Sequence, residues 1–242
     1  MRLCYFCLLL YRDNDMIRIL HTADWHLGQT FFGYDRTKEH EAFLDWLLRE
    51  IRKNEIDALI IAGDVFDVSN PSAASQRMYY EFIYRVTAEN PGLQIVIVAG
   101  NHDSAARLEA PLPLLQAMRT EVRGVVRKLN EGEIDYDHLA VELKNREGEV
   151  EVLCMAVPFL RQGDYPVVET EGNPYMEGVR ELYTQLLQRL WARRKTNQAI
   201  LAIGHLQATG SEIAEKDYSE RTVIGGLECV SPDTFSEKIA YT

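Results

Sequence analysis

The sequence has little of what a secreted or membrane protein needs. Its 4 cysteines (Cys4, Cys7, Cys154 and Cys229) are too sparse for a disulfide framework, so a cytoplasmic setting is the simplest expectation. Cys4 and Cys7 form a lone C-x-x-C in an apolar run. With no second pair and no βαβ context around it, chance spacing is favoured over a redox or metal pair. That run, Leu3–Tyr11, is too short to span a membrane and lacks the small-residue cleavage site of a signal peptide. Positive charge is also scarce: Lys+Arg 26 against Asp+Glu 37 gives 26 − 37 = −11. Gripping nucleic acid by charge alone is a poor fit to that balance. A nucleic-acid enzyme of this charge needs bound cations, a local basic patch or a partner subunit. No internal repeat or low-complexity stretch stands out.

What is present suits one sizeable domain. The 242 residues are long enough for a full core, and 46% hydrophobic with 26% charged residues is ordinary globular composition. Arg12-Asp13-Asn14-Asp15 separates the first apolar run from Met16–Leu20, which reads as a strand. Met16 is therefore the expected true start, with residues 1–15 an extension and the domain at 16–242.

Short aliphatic runs predict strands at Ile17–His21, Ala58–Ala62, Gln94–Ala99, Glu151–Val157 and Ala199–Ile203. Helical patterns lie between them. Arg36–Lys53 places Phe43, Leu47 and Ile51 on one stripe. Ser72–Glu89 and Ser104–Arg119 each open on a candidate N-cap serine, and Glu177–Lys195 is the fourth. Residues 121–150 read as an acidic, exposed hairpin or meander, and 161–176 as a loop. Alternating strands and helices predict an α/β layer fold.

The chemistry-bearing residues sit just after the strands. Asp24 and His26 follow the first, Gly63-Asp64 and Asp67 the second, Gly100-Asn101-His102-Asp103 the third, and Gly204-His205 the last. The carboxyl edge of such a sheet is where ligands bind, and the glycines at 63, 100 and 204 are expected to allow sharp turns. Carboxylate, imidazole and amide oxygen together suit Mn, Fe or Zn. Two such ions roughly 3.5–4 Å apart can clamp an in-line phosphoryl displacement, with a shared carboxylate between them, for which Asp64 is the natural candidate. Each piece alone is weak, because Gly-Asp pairs are usually turns and a lone His after a strand is usually a core residue. Four equivalent placements make the conjunction specific.

Asp24-x-His26, Gly63-Asp64-x-x-Asp67, Gly100-Asn101-His102-Asp103 and Gly204-His205 resemble, in order, the motifs of the calcineurin-like metallophosphoesterases. The longer stretches His21–Gly28, Ala62–Asp67, Ala99–Ser104, Val157–Arg161 and Gly204–Leu206 are similar to that family's bacterial DNA-nuclease branch. The resemblance covers roughly 16–242. It implies a two-sheet sandwich flanked by helices (α-β-β-α) and two divalent metal ions, with Mn2+ expected. Asp24 and His26 would hold the first metal, Asp64 would bridge, and Asn101 and His205 would hold the second. His102 would be the catalytic residue beside the scissile phosphate, with His21, Asp67 and Asp103 orienting ligands. His40 and His138 carry no motif and read as structural or surface residues.

The resemblance further implies a DNA exo/endonuclease in repair, recombination and replication. Its partners would be a coiled-coil ATPase and a homodimer contact near Met78, Phe82, Arg85, Leu114, Leu115 and Met118, although core packing is the plainer reading of those six. Family members carry a later Gly-His-x-His, and Ile239–Thr242 reads as the start of the strand before it. The chain is thus expected to lack two ligands, to bind metal weakly and to cut DNA poorly by itself. Another phosphodiesterase or phosphatase of the family, or an inactive scaffold, are the alternatives.

Overall fold

The aliphatic runs form strands and the 3.6-period segments form helices. The protein is described by a computed structural model, which covers residues 8–10, 16–208 and 229–242. In chain order it contains β1 (Leu8–Leu10), β2 (Ile19–Thr22), β3 (Thr30–Phe31), β4 (Tyr34–Asp35), α1 (Thr37–Lys53), β5 (Ala58–Ala62), α2 (Ala73–Glu89) and β6 (Gln94–Val98). There follow α3 (Ala105–Glu109), α4 (Leu112–Ala117), β7 (Thr120–Arg123), β8 (Ala140–Lys144), β9 (Val150–Ala156), α5 (Pro174–Arg193), β10 (Ala199–Ile203), β11 (Gln207–Ala208) and β12 (Cys229–Val230).

Two sheets carry the fold, in the orders β1-β2-β5-β6-β7 and β10-β9-β8. In the first, β2, β5, β6 and β7 run parallel and β1 antiparallel. In the second, β9 and β10 are parallel and β8 is antiparallel to β9. The period-2 alternation of strands divides the side chains between two faces. Ile19, Ala58, Ile60, Val96 and Val98 meet Val152, Cys154, Ala156 and Leu201 in a core between the sheets. Leu20, Leu59, Ile61, Ile95 and Ile97 face the other way, onto α1 and α2. Leu153, Met155, Ile200 and Ala202 face α5 on the far side. Strands buried on both faces read as unbroken apolar runs for this reason. The architecture is the α-β-β-α sandwich.

Several boundaries differ from expectation. The segment 104–119 is two short helices, not one, because Pro111 and Pro113 lack the N–H groups a continuous helix would need. Ser72 caps α2 by accepting from the Ser75 N–H, whereas Ser104 makes no side-chain cap bond. Helix α5 starts three residues early, at Pro174, with the Asn173 side chain accepting from the N–H groups of Tyr175 and Met176. Residues 120–123 belong to the first sheet as a parallel strand, while the hairpin or meander expected there is found as an antiparallel bridge between Lys128 and Ile134 and as the 140–156 hairpin. Leu8–Leu10, within the segment read as an extension, pairs antiparallel with β2. The C-x-x-C at Cys4 and Cys7 lies outside the described residues. His40 is fully buried on α1, and the His138 ring lies 3.6 Å from the Glu109 carboxylate, so both are interior residues. Phe82 and Leu115 are core, while Leu114 is 72% exposed. Among the described residues no helix is long and apolar enough to cross a membrane.

Candidate metal centre

Parallel pairing of β2, β5 and β6 brings their carboxyl ends side by side, and with them the loops that follow. The first two loops are stitched together by backbone bonds: the N–H of Asp24 to the Gly63 carbonyl, of His26 to Asp64, and of Leu27 to Val65, at 3.2, 3.0 and 3.0 Å. Between the two polar positions Trp25 points inward. It is 1% exposed, packs edge-on against Phe43 and Phe82, and donates to the Thr22 hydroxyl. Burial of Trp25 and Leu27 therefore turns Asp24 and His26 outward to the site. Asp24, His26 and Asp64 all have positive φ (56°, 45° and 47°). Such strain in non-glycine residues persists only where the surroundings hold it, and it collects at functional sites.

Asp64 is the centre of the cluster, with its side chain 4% exposed. Its Oδ2 lies 3.4 Å from His205 Nε2 and 3.8 Å from His26 Nε2, while Oδ1 accepts the His102 N–H at 2.9 Å. Two groups of potential ligand atoms share it: Asp64 with Asp24 and His205, and Asp64 with His26 and His102, each group within 4.8 Å. The Asn101 side-chain oxygen is 2.9 Å from His205 Nε2. All five expected metal ligands and His102 thus converge, and His102 stands against His26 in edge-on ring contact.

Asp103 ties the site together from beneath. Only 3% exposed, its carboxylate accepts from the N–H groups of Gly100, Val65 and Phe66. It thereby locks the loops after β5 and β6 to each other. Asp67 offers its Oδ1 to His26 Nδ1 at 3.4 Å and its carbonyl to His102 Nδ1 at 2.7 Å. His21 is placed differently: its Nδ1 lies 2.8 Å from the Tyr241 hydroxyl, a contact no sequence motif signalled.

The glycines act differently than expected. Gly63 alone of the three takes up a left-handed turn, at φ 89°. Gly100 is required for space, because a Cβ there would fall 2.0 Å from Asp64 Oδ1, and one at Gly204 would fall 2.3 Å from the Tyr183 hydroxyl. A residue string does not reveal a close approach of this kind.

The electrostatics favour positive charge at the cluster. Burial works against charge on His205, but the bond and charge of Asp64 outweigh it and raise the pKa to about 9. Burial likewise opposes charge on His26, and Asp67, Asp64 and Asp24 together raise it. Burial pushes Asp64 up, yet the His205 and His102 contacts hold it below its ordinary value. The neighbours of His205 explain its state: Nδ1 faces the Ala62 carbonyl and Nε2 the Asn101 side-chain oxygen, both acceptors. Carboxylate, imidazole and amide oxygen around one shared buried carboxylate fit a pair of divalent ions.

Comparison with known proteins identifies the family. The calcineurin-like phosphoesterase profile matches residues 17–228. The chain is 38% identical over 232 residues to the SbcD component of nuclease SbcCD from Rhodobacter capsulatus, covering 93% of this chain and 56% of that protein. It is 32% identical over 226 residues to the SbcD of Escherichia coli, covering 90% and 53%, and 28% identical over 227 residues to that of Bacillus subtilis, covering 93% and 55%. The chain thus spans about half the length of the curated relatives it matches. With the profile covering most of its length, the chain belongs to the calcineurin-like phosphoesterase family.

Proposed function

We propose that this chain is the phosphoesterase domain of a DNA nuclease of the SbcD kind. It hydrolyses DNA phosphodiesters, as exonuclease and endonuclease, in repair, recombination and replication in the cytoplasm. The observation that carries the reading is the single buried carboxylate of Asp64 shared by two converging ligand groups. By motif order Asp24 and His26 would hold one ion, Asn101 and His205 the other, and Asp64 both, with Mn2+ the proposed metal, whereas proximity in the metal-free side chains groups Asp24 with His205 and His26 with His102. When bound, the two ions supply Lewis acidity toward a water and toward the phosphate oxygens.

The chain's own residues do the rest. Asp103 fixes the spacing of the Asp64 and Asn101 loops, and Asp67 orients His26. His102 donates its Nδ1–H to the Asp67 carbonyl, which turns Nε2 toward the site, and in the imidazolium form Nε2–H would pass its proton to the departing sugar oxygen and leave the neutral ring. A charge of −11 favours a partner that contributes DNA affinity, and an SbcC-like coiled-coil ATPase fits that need. Of the six residues named for a homodimer contact, Leu114 is exposed and available for one.

The test is manganese-dependent cleavage of hairpin-ended DNA, by this chain alone and with the ATPase. Asp64→Asn is expected to abolish cleavage together with metal binding. His102→Ala is expected to lower the rate at least a hundredfold, an order of magnitude set by general acid catalysis, and a loss of manganese affinity in the same variant would make His102 a ligand instead. Equal cleavage by wild type and His102→Ala would overturn the role given to His102. Hydrolysis confined to small phosphodiesters in every assembly would overturn the nuclease reading.

A further inference from the structure

Four residues beyond His26 begins a feature that the metal centre does not use. Strands β3 and β4 form a two-stranded ribbon, Thr30 opposite Asp35 and Phe31 opposite Tyr34, closed by Phe32-Gly33. Both turn residues have positive φ, 49° and 82°. A tight turn of this kind favours Asn, Asp or Gly at its first position, and a phenylalanine there is strained. The aromatics are also exposed: Phe31 at 44%, Phe32 at 78% and Tyr34 at 76%. Phe31 and Phe32 meet edge-on with centroids 4.6 Å apart. Strain and apolar exposure at one tip oppose folding, which points to selection for a ligand.

The stem of the ribbon is rigid where the tip is free. Leu27 is bonded to Val65, the Gln29 N–H to the His26 carbonyl, and the Arg36 guanidinium to the Gln29 side chain. Gly28 packs so closely on α2 that a Cβ would fall 2.4 Å from Ser75 Oγ. Asp35 accepts from the Thr37 N–H and hydroxyl. The tip is therefore held at a fixed place relative to His26. At most ~3.6 Å per residue, Phe31 stands within about 18 Å of it, a span of a few nucleotides. Residues 30–35 contain no lysine or arginine, so the ribbon has no cation with which to grip phosphate. What it offers is aromatic faces, and the matching chemistry in a nucleic-acid strand is the base.

We propose that the Phe31–Tyr34 ribbon is a stacking platform for unpaired nucleobases of the strand whose phosphodiester enters the metal centre. The proposal rests on the nuclease reading above, and it adds a preference for single-stranded or frayed DNA. Stacking tolerates any base sequence and does not depend on net charge, so it suits an acidic chain.

The experiment measures binding of this chain to a fluorescent single-stranded oligonucleotide and to an abasic strand of equal length, without added metal. Wild type is expected to prefer the base-bearing strand. Phe32→Asn, which suits the left-handed turn, is expected to keep or raise Tm yet bind that strand about tenfold more weakly. The Phe31→Ala/Tyr34→Ala double variant is expected to lose the preference entirely, and Phe32→Trp to restore or strengthen it. Manganese affinity and hydrolysis of bis(p-nitrophenyl) phosphate should match wild type in all of them. Equal binding of the two strands by wild type, or unchanged preference in the variants, overturns the platform whether or not the chain is a nuclease. Base-dependent binding that follows the aromatics, from a chain that hydrolyses no phosphodiester in any assembly, leaves the platform standing and removes the nuclease reading.

Discussion

The Asp64 carboxylate accepts the backbone N–H of His102 at 2.9 Å with one oxygen and faces His205 Nε2 at 3.4 Å with the other. One buried side chain thus fixes the proposed proton donor's loop and serves both ligand groups. Asp64→Asn keeps an acceptor for the His102 N–H but removes the negative charge that both groups share. The variant is expected to fold with a lower Tm below about pH 9, because the His205–Asp64 pair is lost, and to lose metal-induced stabilisation. At a Mn2+ concentration a hundred times Kd, wild type should gain about 2.7 kcal/mol, roughly 5–10 °C in Tm, in differential scanning calorimetry. A comparable gain in Asp64→Asn would remove Asp64 from the ligand set.

The Asp64 carboxylate beside His205 favours the protonated imidazole in the absence of metal. The imidazole pKa, about 9 in the metal-free fold, lies above the ordinary value of 6.5. Near neutral pH a metal must displace that proton, so affinity should rise with pH and level off above about 9. Titration calorimetry at about pH 7 in buffers of different ionisation enthalpy should report roughly one proton released from this residue. The sign for stability is opposite. The His205–Asp64 pair stabilises the metal-free fold fully below pH 6.5 and fades as pH rises through about 9. His205→Ala should therefore cost more stability at about pH 6 than at about pH 10.

Asp103 accepts three backbone N–H groups from two loops while nearly fully buried. Asp103→Ala leaves those donors unsatisfied and is expected to destabilise the fold by about 3 kcal/mol, lowering Tm by roughly 6–12 °C. Asp103→Asn keeps an acceptor and should fall between the two. In both, metal affinity should drop with stability, because the same bonds set the distance between Asp64 and Asn101.

Cys154 lies between the two sheets with no exposed surface, and burial pushes its thiol up to about 12. It should resist iodoacetamide at about pH 8 in the folded chain and react on unfolding, while partly exposed Cys229 labels under native conditions. Mass spectrometry of the labelled peptides reads this directly.

The outline of the fold was legible in the residues because strands buried on both faces must be apolar throughout, and Ala58–Ala62 and Gln94–Ala99 cannot be mistaken for solvent-facing segments. Helix α2 was legible through its Ser72 cap. The break between α3 and α4 is written in Pro111 and Pro113, but the apolar period of 104–119 runs through it and masks it. Asn173-Pro174 marks the start of α5, hidden in the same way by the Gly- and Pro-rich stretch before it. The parallel placement of β7 depends on an open edge beside β6, which local sequence does not encode.

The candidate site divides the same way. The residue order specifies which side chains are available and that they follow strand ends, since Asp24, His26, Asp64, Asn101, His102 and His205 each sit just beyond an apolar run. How they meet is set by the packing of the fold. Parallel pairing set the loops side by side, the burial of Trp25 turned its neighbours outward, and the absence of a side chain at Gly100 let Asp64 reach the centre. Chemistry is a local property of residues and can be read along a chain. Distance between loops far apart in sequence is fixed by packing.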